Sequence, residues 1–427
     1  MLRPVLTLTA ALTLCSLSAI SNAQAQTFNW KAQQGKTISV SVVKSPWSDI
    51  LQDRVGEFEK LSGMQVNLSV LPEQQARQKL AIDFASGGRT VDVFDSSLTV
   101  EKARFAQAGW YEPLNKYMVA GKLDPSYRFD DFFTSARTAV KTADGRIIGL
   151  PWKADVQVLY YRKDLFAQAG LKVPTNLDEL EAAAAKLHVP GKMYGYAARG
   201  LKNANAYAFA FPLQAFGGKW VDSKGNSTVN SAQAVKALNW YSGMLKKYAP
   251  PSVVSYNWSE VLGLFQQEQL AMFNDGIGFA VQLEDKTKSK VAGKVGYAVL
   301  PGKLAPATYN ALAMSSRSGN KDAAFLFMQW ATNRAFDKNL VENGVTSPRQ
   351  SSWTTASNKP LDTIPWAKTY FDALKVAKPA FPEVPPVQEM RDTVGIAIVQ
   401  AIQGAAVKPA LDQASRDFQT ALNSAKQ

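Results

Sequence analysis

Apolar positions recur with two different periods along the first part of the chain. Residues 38–43 and 66–70 alternate apolar and polar side chains, which is the period of a half-buried strand, and residues 91–94 form a third short apolar run. Between the first two strands, apolar positions from 50 to 61 return at the spacing of a helix. Strands that alternate with helices in this order predict a mostly parallel sheet covered by helices.

The later parts of the chain continue this pattern. Residues 146–151 and 156–161 predict two further extended segments, and the Pro-rich residues 381–386 predict a rigid loop. A helix is predicted to begin after an N-cap at Thr175, with Asp178 in its first turn. Further helices are predicted to begin near Ser231, Ser259 and Lys321. The chain as a whole therefore belongs to the α/β class.

Sheets of this type bind their ligands beyond the carboxyl ends of the strands. The loops that leave the first three strands therefore mark the place where a ligand is expected. Their polar and aromatic residues are Lys44, Ser45, Trp47, Glu73, Asp95 and Ser96. For Asp95 the alternative is an N-cap of the following helix, and for Lys44 it is solvated surface charge.

The first 25 residues read as a secretory signal peptide. Arg3 supplies a positive start, residues 5–20 are apolar with small polar interruptions, and an A-x-A cleavage pattern ends at Ala25. A membrane anchor is the alternative, which the short and broken apolar run disfavours. The single cysteine, Cys15, lies inside this segment, so cleavage near Ala25 would leave a cysteine-free chain that fits a bacterial periplasm.

Composition limits the classes of protein further. The chain has 427 residues, of which 46% are hydrophobic and 19% are charged, values typical of a globular protein with two or three domains. One cysteine and one histidine exclude a disulfide scaffold and cysteine-ligated zinc or iron–sulfur sites, and we expect no cofactor and no metal.

The charge of the chain is strongly positive. The formal net charge is +13, or +12 without Arg3, which favours anionic partners in general. The 48 basic residues are spread along the chain without a basic helix face, so nucleic acid is not an expected partner.

A run of short motifs carries a family resemblance. The pattern Asp-Gly-x-x-x-Gly-Leu-Pro begins at residue 144, and Tyr-Tyr-Arg-Lys-Asp-Leu-Phe follows at residues 160–166. Further matches follow the same order along the chain, at residues 58–66, 85–93, 109–114, 169–171, 174–175, 179–180, 216–220, 265–272, 300–302, 323–327 and 344–349. Together they resemble the family 1 extracellular solute-binding proteins of bacterial ABC importers, in the maltodextrin- and polyol-binding cluster. The segment Tyr-Gly-x-x-x-Arg-Gly at residues 194–200 is similar to the polyol and monosaccharide branch.

The resemblance implies two α/β lobes that interleave in sequence and close around a ligand, the Venus-flytrap fold of type II periplasmic binding proteins. Lobe one would take residues 36–145 and 303–350, and lobe two would take residues 146–302 and 351–427. The implied function is that of a monomeric, periplasmic substrate-binding component. It would capture a sugar, a sugar alcohol or a sugar derivative and deliver it to the membrane permease of the importer.

Candidate ligand contacts follow from what a polyol offers, which is hydroxyl groups and apolar C–H faces. A carboxylate accepts hydroxyl groups in strong charge-assisted bonds, and Asp155 follows the segment at which the resemblance places the first crossing between lobes. A hinge salt bridge of Asp155 with Lys153 or Arg162 is the alternative. The later part of the chain adds as candidates Trp152, Lys153, Asp155, Arg199, Asp275, Asn310 and Arg349. Among all candidates, Trp47 and Trp152 would be the stacking plates.

The cationic candidates make an anionic ligand the alternative to a neutral polyol or sugar. Lys44, Arg199 and Arg349 all fall in segments expected near the cleft. If two of them converge, the ligand is anionic, and a sugar acid, a sulfosugar or a phosphorylated polyol would fit.

An enzyme is the alternative from a different class. A secreted glycoside hydrolase needs two carboxylates, and Asp95 and Asp155 could be such a pair. However, no catalytic motif precedes either residue, and the lone His188 offers no serine triad or zinc site. The sequence therefore favours a binding protein over an enzyme.

Overall fold

The computed structural model describes residues 27–354 and 359–425. The predicted signal peptide lies outside the described residues. Within them the chain forms strands β1 Thr37–Val43, β2 Gln65–Leu71, β3 Val93–Ser97, β4 Leu150–Arg162, β5 Met272–Gly276, β6 Val295–Ala298, β7 Pro306–Met314 and β8 Lys378–Pro379.

Helices fill most of the intervals between the strands. They are α1 Pro46–Ser62, α2 Glu73–Ala85, α3 Lys102–Gln107, α4 Thr134–Ala139, α5 Lys163–Gln168, α6 Leu177–Leu187, α7 Asn205–Ala215, α8 Ala232–Tyr248, α9 Trp258–Gln266, α10 Ala280–Glu284, α11 Lys321–Ala331, α12 Arg334–Glu342, α13 Ser351–Thr354, α14 Pro360–Thr363, α15 Ala367–Val376, α16 Val387–Ile402 and α17 Val407–Ser424. None of the described helices combines the length and the apolar character needed to cross a bilayer.

The strands join in the order β2-β1-β3-β7-β4-β5, with β6 on β4 and β8 on β7. The pairs β1/β2, β1/β3 and β7/β8 are parallel, as expected for the first three strands. The pairs that β3 and β4 make with β7, and those that β4 makes with β5 and β6, are antiparallel. The prediction of a mostly parallel sheet is therefore wrong for the sheet as a whole, because later strands enter it in the opposite direction.

Strand β4 connects the two parts of the sheet. Its first half, from Leu150 to Val156, pairs with β7, and its second half, from Gln157 onward, pairs with β5 and β6. The two extended segments predicted at 146–151 and 156–161 are therefore largely one continuous strand. Asp155 lies just before the point at which β4 changes its partners.

Helix starts follow the sequence signals closely but not always at the same residue. Helix α8 begins after Ser231, whose side chain accepts a hydrogen bond from the main chain of the first turn, as predicted. Helix α6 is capped by Asn176 instead of Thr175, since the Asn176 side chain accepts from the Glu179 amide at 2.9 Å. Helix α9 likewise has its N-cap at Asn257, two residues before the predicted start.

Two buried clusters lie on opposite faces of the sheet around β3 and β7. Val93 belongs to one cluster and the next residue, Phe94, to the other, because successive side chains of a strand point to opposite faces. The first cluster packs β1 against α1, α11 and α12. The second extends over the rest of the chain, where α16 and α17 pack on each other and on α8.

Arg349 is a buried anchor within this framework, which corrects its expected place at a ligand cleft. Its side chain is 0% exposed and donates to the carboxylates of Asp337, at 3.0 Å, and Asp131, at 3.3 Å. It also donates to three main-chain carbonyls and lies 3.9 Å from the ring centroid of Phe132. Every nitrogen of the guanidinium is thus used to hold the loop after α12 to the preceding helices.

We predict that Arg349→Met lowers the free energy of unfolding by about 3–5 kcal/mol, because Asp337 loses its main buried counter-charge. Urea denaturation followed by tryptophan fluorescence measures the change. The control is Lys44→Met, since Lys44 is exposed and pairs only with the exposed Asp49. The control is expected to stay within about 0.5 kcal/mol of the wild type. Equal, small effects of both substitutions would contradict the assignment.

Candidate functional site

A cavity of about 260 Å³ lies where the two parts of the sheet meet. We call it the inner cavity. It is lined by side chains from β3, β4 and β7 on one side and from α2, α7 and α16 on the others. Of the residues selected from sequence, those that line it are Glu73, Asp95, Asp155, Arg199 and Asn310. Ligand contact by these residues stays a prediction.

One wall of the inner cavity is a hydrogen-bonded network across three strands. Asp95 on β3 accepts from Lys153 Nζ on β4 at 2.6 Å and from Asn310 Nδ2 on β7 at 2.7 Å. The Asp95 side chain is 0% exposed, and the Lys153 side chain is 10% exposed. Both oxygens of Asp95 are therefore occupied, so the N-cap alternative and a free catalytic carboxylate both disagree with its geometry.

Asp155 differs from Asp95 in having no cationic partner among the described residues. Among the described residues it accepts hydrogen bonds from main-chain amides, from Gly278 at 3.2 Å and from the adjacent Val156. The hinge salt bridge considered from sequence does not form, because Lys153 pairs with Asp95, and Arg162 pairs with Asp164 at 2.6 Å. The Asp155 carboxylate is thus available at the cavity wall.

Burial controls the acidity of this carboxylate. Removal from water raises the pKa of Asp155 to about 6, and the negative charge of Asp275 raises it further, while the Gly278 amide opposes the shift. Gly276 makes the close packing on this side feasible. A Cβ at Gly276 would lie 2.0 Å from Asp155 Oδ2, whereas a Cβ at Gly278 would lie 3.8 Å from Oδ1.

Arg199 and Asp275 form the second ion pair of the site. The guanidinium donates to both oxygens, with Nε–Oδ2 at 2.8 Å and Nη2–Oδ1 at 2.6 Å. Arg199 also lies 4.9 Å from the ring centroid of Tyr207, whose hydroxyl is buried without a hydrogen bond of ordinary length among the described residues. Asp275 is 1% exposed and does not line the inner cavity, so it positions Arg199 from behind.

The two candidate stacking plates do not line the inner cavity. Trp152 is 1% exposed and lies in the core beneath the sheet, which corrects its prediction as a plate. Trp47 is half-buried, and its indole N–H donates to the Thr346 carbonyl at 2.8 Å. Both rings instead flank Lys153, whose Nζ lies 4.3 Å from the Trp152 centroid and 5.7 Å from that of Trp47. The two rings stabilise the Lys153 ammonium group by cation–π interactions.

Three polar candidates also point elsewhere. Ser96 is buried and contacts Tyr111 Oη at 2.6 Å and Glu101 Oε2 at 3.2 Å, on the face of β3 away from Asp95. Ser45 is the N-cap of α1 and forms a capping box with its first turn. Lys44 is exposed and pairs with a surface carboxylate. None of the three lines the inner cavity, and ligand contact by them stays a prediction.

Among the residues of the inner cavity that sequence reasoning missed are Arg77, Tyr207 and Arg391. Tyr207 lies in the apolar helix α7, in which any aromatic residue suggests core. Arg77 and Arg391 lie on α2 and α16, outside the strand-end loops that the search considered. The Pro-rich loop at 381–386, which precedes α16, is the one nearby signal in the sequence.

A wider cavity of about 600 Å³ adjoins the inner one, and we call it the outer cavity. Glu73, Arg77, Glu101, Arg199 and Arg391 line both spaces. Asp95, Asp155 and Asn310 line the inner cavity and not the outer one. The inner end is therefore formed by two aspartates and an amide, and the border of the two cavities carries three arginines and two glutamates.

A small polar cavity between two parts of the sheet of an α/β fold is a usual place for a small solute to bind. The sequence pattern of the family described as bacterial extracellular solute-binding protein matches residues 44–338. The mannitol-binding protein of Pseudomonas aeruginosa is 31% identical over 371 residues, which are 83% of each chain. The chain belongs to the bacterial extracellular solute-binding protein family, which serves ABC transport and is not an enzyme family.

Solved structures of related proteins have the same fold. A solute-binding protein of Agrobacterium radiobacter K84, in complex with ribitol, is 25% identical with a TM-score of 0.80, over 91% of this chain and 99% of that chain. One from Agrobacterium vitis S4, with bound D-mannitol, is 27% identical with a TM-score of 0.77 over the same shares. The fold and the family expected from the sequence are thereby confirmed.

We predict that Asp155→Asn raises the stability of the ligand-free protein at pH 7.5 by about 1–3 kcal/mol and that the gain shrinks toward pH 5. The folded-state pKa of Asp155, about 6, exceeds the usual value of about 3.9. Its contribution to stability is therefore full below pH 4 and is lost as the pH rises through 6. Urea denaturation of both proteins across this range measures the difference.

The control for this prediction is Asp53→Asn, on the exposed side of α1. It removes the same charge without touching the cavity and is expected to show no such trend. A difference between wild type and Asp155→Asn that does not vary with pH would contradict the prediction.

Proposed function

We propose that this protein is the periplasmic receptor of an ABC importer, that it captures one sugar alcohol or one monosaccharide in the inner cavity, and that it delivers this ligand to a membrane permease. The observation that carries the proposal is the free Asp155 carboxylate at the wall of a small polar cavity. Such a carboxylate accepts hydroxyl groups in charge-assisted hydrogen bonds.

The size of the cavity supports a ligand of one sugar unit. Its volume of about 260 Å³ lies just below the range of about 300–1,000 Å³ that is usual for small-molecule sites. A maltodextrin chain would have to extend into the outer cavity, whereas a sugar alcohol of five or six carbons would use the inner end alone.

Several groups are ready to pair with hydroxyls. The side-chain amide of Asn310 donates a hydrogen bond to Asp95, which leaves the side-chain carbonyl oxygen of Asn310 as an acceptor. Tyr207 offers a hydroxyl that has no partner of ordinary hydrogen-bond length, and its ring, with that of Phe381, offers apolar surface for C–H groups. A ligand with donors, acceptors and apolar faces at close spacing satisfies all of them.

The relatives support this class of ligand. One is named a mannitol-binding protein, and the two structures described above hold ribitol and D-mannitol. An erythritol/L-threitol-binding protein of Mycolicibacterium smegmatis is 27% identical over 77% of this chain. The four compounds named for these relatives, which are mannitol, ribitol, erythritol and L-threitol, are all linear sugar alcohols.

The mechanism we propose is closure of two lobes. Lobe one comprises residues 36–145 and 303–350, and lobe two comprises residues 146–302 and 351–427. Asp95 and Arg77 would approach the ligand from lobe one, and Arg199 and Tyr207 from lobe two. A ligand that contacts both sets favours the closed form, since only that form offers them together. The receptor acts as a monomer after its signal peptide, residues 1–25, has been removed.

A thermal-shift screen with sugar alcohols, monosaccharides, maltodextrins and amino acids tests the proposed function. A cognate ligand at 100 times its dissociation constant adds about 2.7 kcal/mol to the stability and raises the melting temperature. We expect a shift with sugar alcohols or monosaccharides, and a smaller radius of gyration by X-ray scattering at saturation. A shift with amino acids alone, or saturation without a change in radius, would contradict the ligand class or the closure, respectively.

We predict that Gly276→Ala weakens binding of the ligand from this screen at least tenfold, because the added methyl would occupy the place of the Asp155 carboxylate. Gly276 has φ −58°, so alanine causes no backbone strain there. Gly278→Ala is the matched control, since its methyl has room beside Asp155, and it is expected to bind within about twofold of the wild type. Titration calorimetry measures both, and equal affinities would remove Asp155 from the site.

A further inference from the structure

Arg391 is exceptional among the cations of the inner cavity. Of the three arginines that line this cavity, Arg77 pairs with Glu73 at 2.8 Å, and Arg199 pairs with Asp275 at 2.6 Å. Arg391 has no ion pair with any residue that the structure describes. A cation that lines a binding cavity without a counter-charge marks a place where a ligand can supply one.

The surroundings of Arg391 leave part of its guanidinium unused. Its Nη1 donates to Gln388 Oε1 at 3.2 Å on the same helix, and the group lies 5.2 Å from the ring centroid of Phe381. Its Nε is buried and has no hydrogen-bond partner among the described residues. Buried guanidinium nitrogens are normally satisfied, so this one is an unfilled donor at the cavity wall.

The other arginines add positive charge at the same place. Arg77, on α2, and Arg199 line both cavities together with Arg391, and the two glutamates of this border, Glu73 and Glu101, lie 2.8 and 3.7 Å from the guanidinium of Arg77. Burial, followed by the positive charges of Arg77 and Arg199, lowers the pKa of Arg391 to about 10, which leaves it protonated at neutral pH. Arg77 belongs to the proposed lobe one and Arg391 to lobe two, so closure brings like charges together.

We propose that the natural ligand carries one anionic group, a carboxylate or a phosphate on a polyol or sugar, and that Arg391 binds this group opposite Arg77 at the border of the two cavities. The inference rests on the proposed function and narrows its ligand class. An anion at this border supplies the missing counter-charge of Arg391 and reduces the repulsion between the two lobes.

The charges of the inner end fix the direction of the ligand. Asp155 lies there without an ion pair among the described residues and would repel an anion, whereas it accepts hydroxyl groups. The hydroxylated part of the ligand therefore points inward, and its anionic end points toward Arg391.

Titration calorimetry with two matched series of probes tests this inference. Each series contains a neutral sugar alcohol, the corresponding sugar acid and the corresponding terminal phosphate, one built on ribitol and one on mannitol. We expect an acid or a phosphate to bind wild type at least tenfold more tightly than its neutral parent, and the tighter of the two identifies the anionic group. Arg391→Gln should remove this preference, and Arg391→Lys should retain part of it.

Arg104→Gln is the matched control. Arg104 lines only the outer cavity, and its removal changes the net charge by the same amount. This variant should keep the preference for the anion, and melting curves of all variants verify that they are folded. If the preference falls equally in Arg104→Gln, general charge attraction explains it and the assignment to Arg391 is overturned.

The outcomes separate this inference from the proposed function. If a neutral sugar alcohol binds more tightly than its acid and its phosphate, the inference fails and the proposed function stands. If none of the six probes binds, and the thermal-shift screen responds only to amino acids, the proposed function itself fails.

Discussion

The ion pair between Asp95 and Lys153 is the constraint on which the rest of the site depends. Asp95 lies on β3 and Lys153 on β4, with β7 between them, and Asn310 of β7 completes the network. Loss of one partner would leave a buried charge uncompensated, at a cost of about 3–5 kcal/mol, so the three strands are held in one arrangement. Asp155 lies two residues beyond Lys153 and therefore on the same face of β4, where it meets the cavity.

This network makes the wall rigid and leaves the neighbouring groups incomplete. Asp95 accepts from two side chains, whereas Asp155 accepts from main-chain amides, and the Tyr207 hydroxyl and Arg391 Nε have no hydrogen bonds of ordinary length among the described residues. Such groups lower the stability of the empty protein, because they lost water without gaining a partner. The proposed ligand would recover that loss, so under the proposed function the unsatisfied groups contribute to affinity and the satisfied ones to positioning.

Much of the fold follows from local sequence. The alternation at 38–43 and 66–70 and the helical spacing between them predict β1, β2 and α1, since these elements depend on neighbours close in sequence. The antiparallel part of the sheet could not be predicted in this way. Strand β7 joins β3 and β4 across more than a hundred residues, and the period of a strand does not encode the direction of its partner.

The candidate site shows the same limit at the level of side chains. The strand-end rule locates Asp95 correctly beside the cavity but also selects Ser96, because a step of one residue along a strand reverses the face. Trp152 is one step along β4 from Lys153, so its side chain points to the opposite face, and its ring lies in the core.

The charge partners of the arginines could not be predicted from local sequence either. Arg349, Arg199 and Arg391 look alike in sequence, yet the first is saturated by two carboxylates and three carbonyls, the second has one carboxylate, and the third has none among the described residues. What distinguishes them is whether distant segments deliver a counter-charge, which is a property of the folded chain alone. The cation that the described residues leave unpaired is the one we propose for ligand recognition, and the sequence carries no local sign of which one that is.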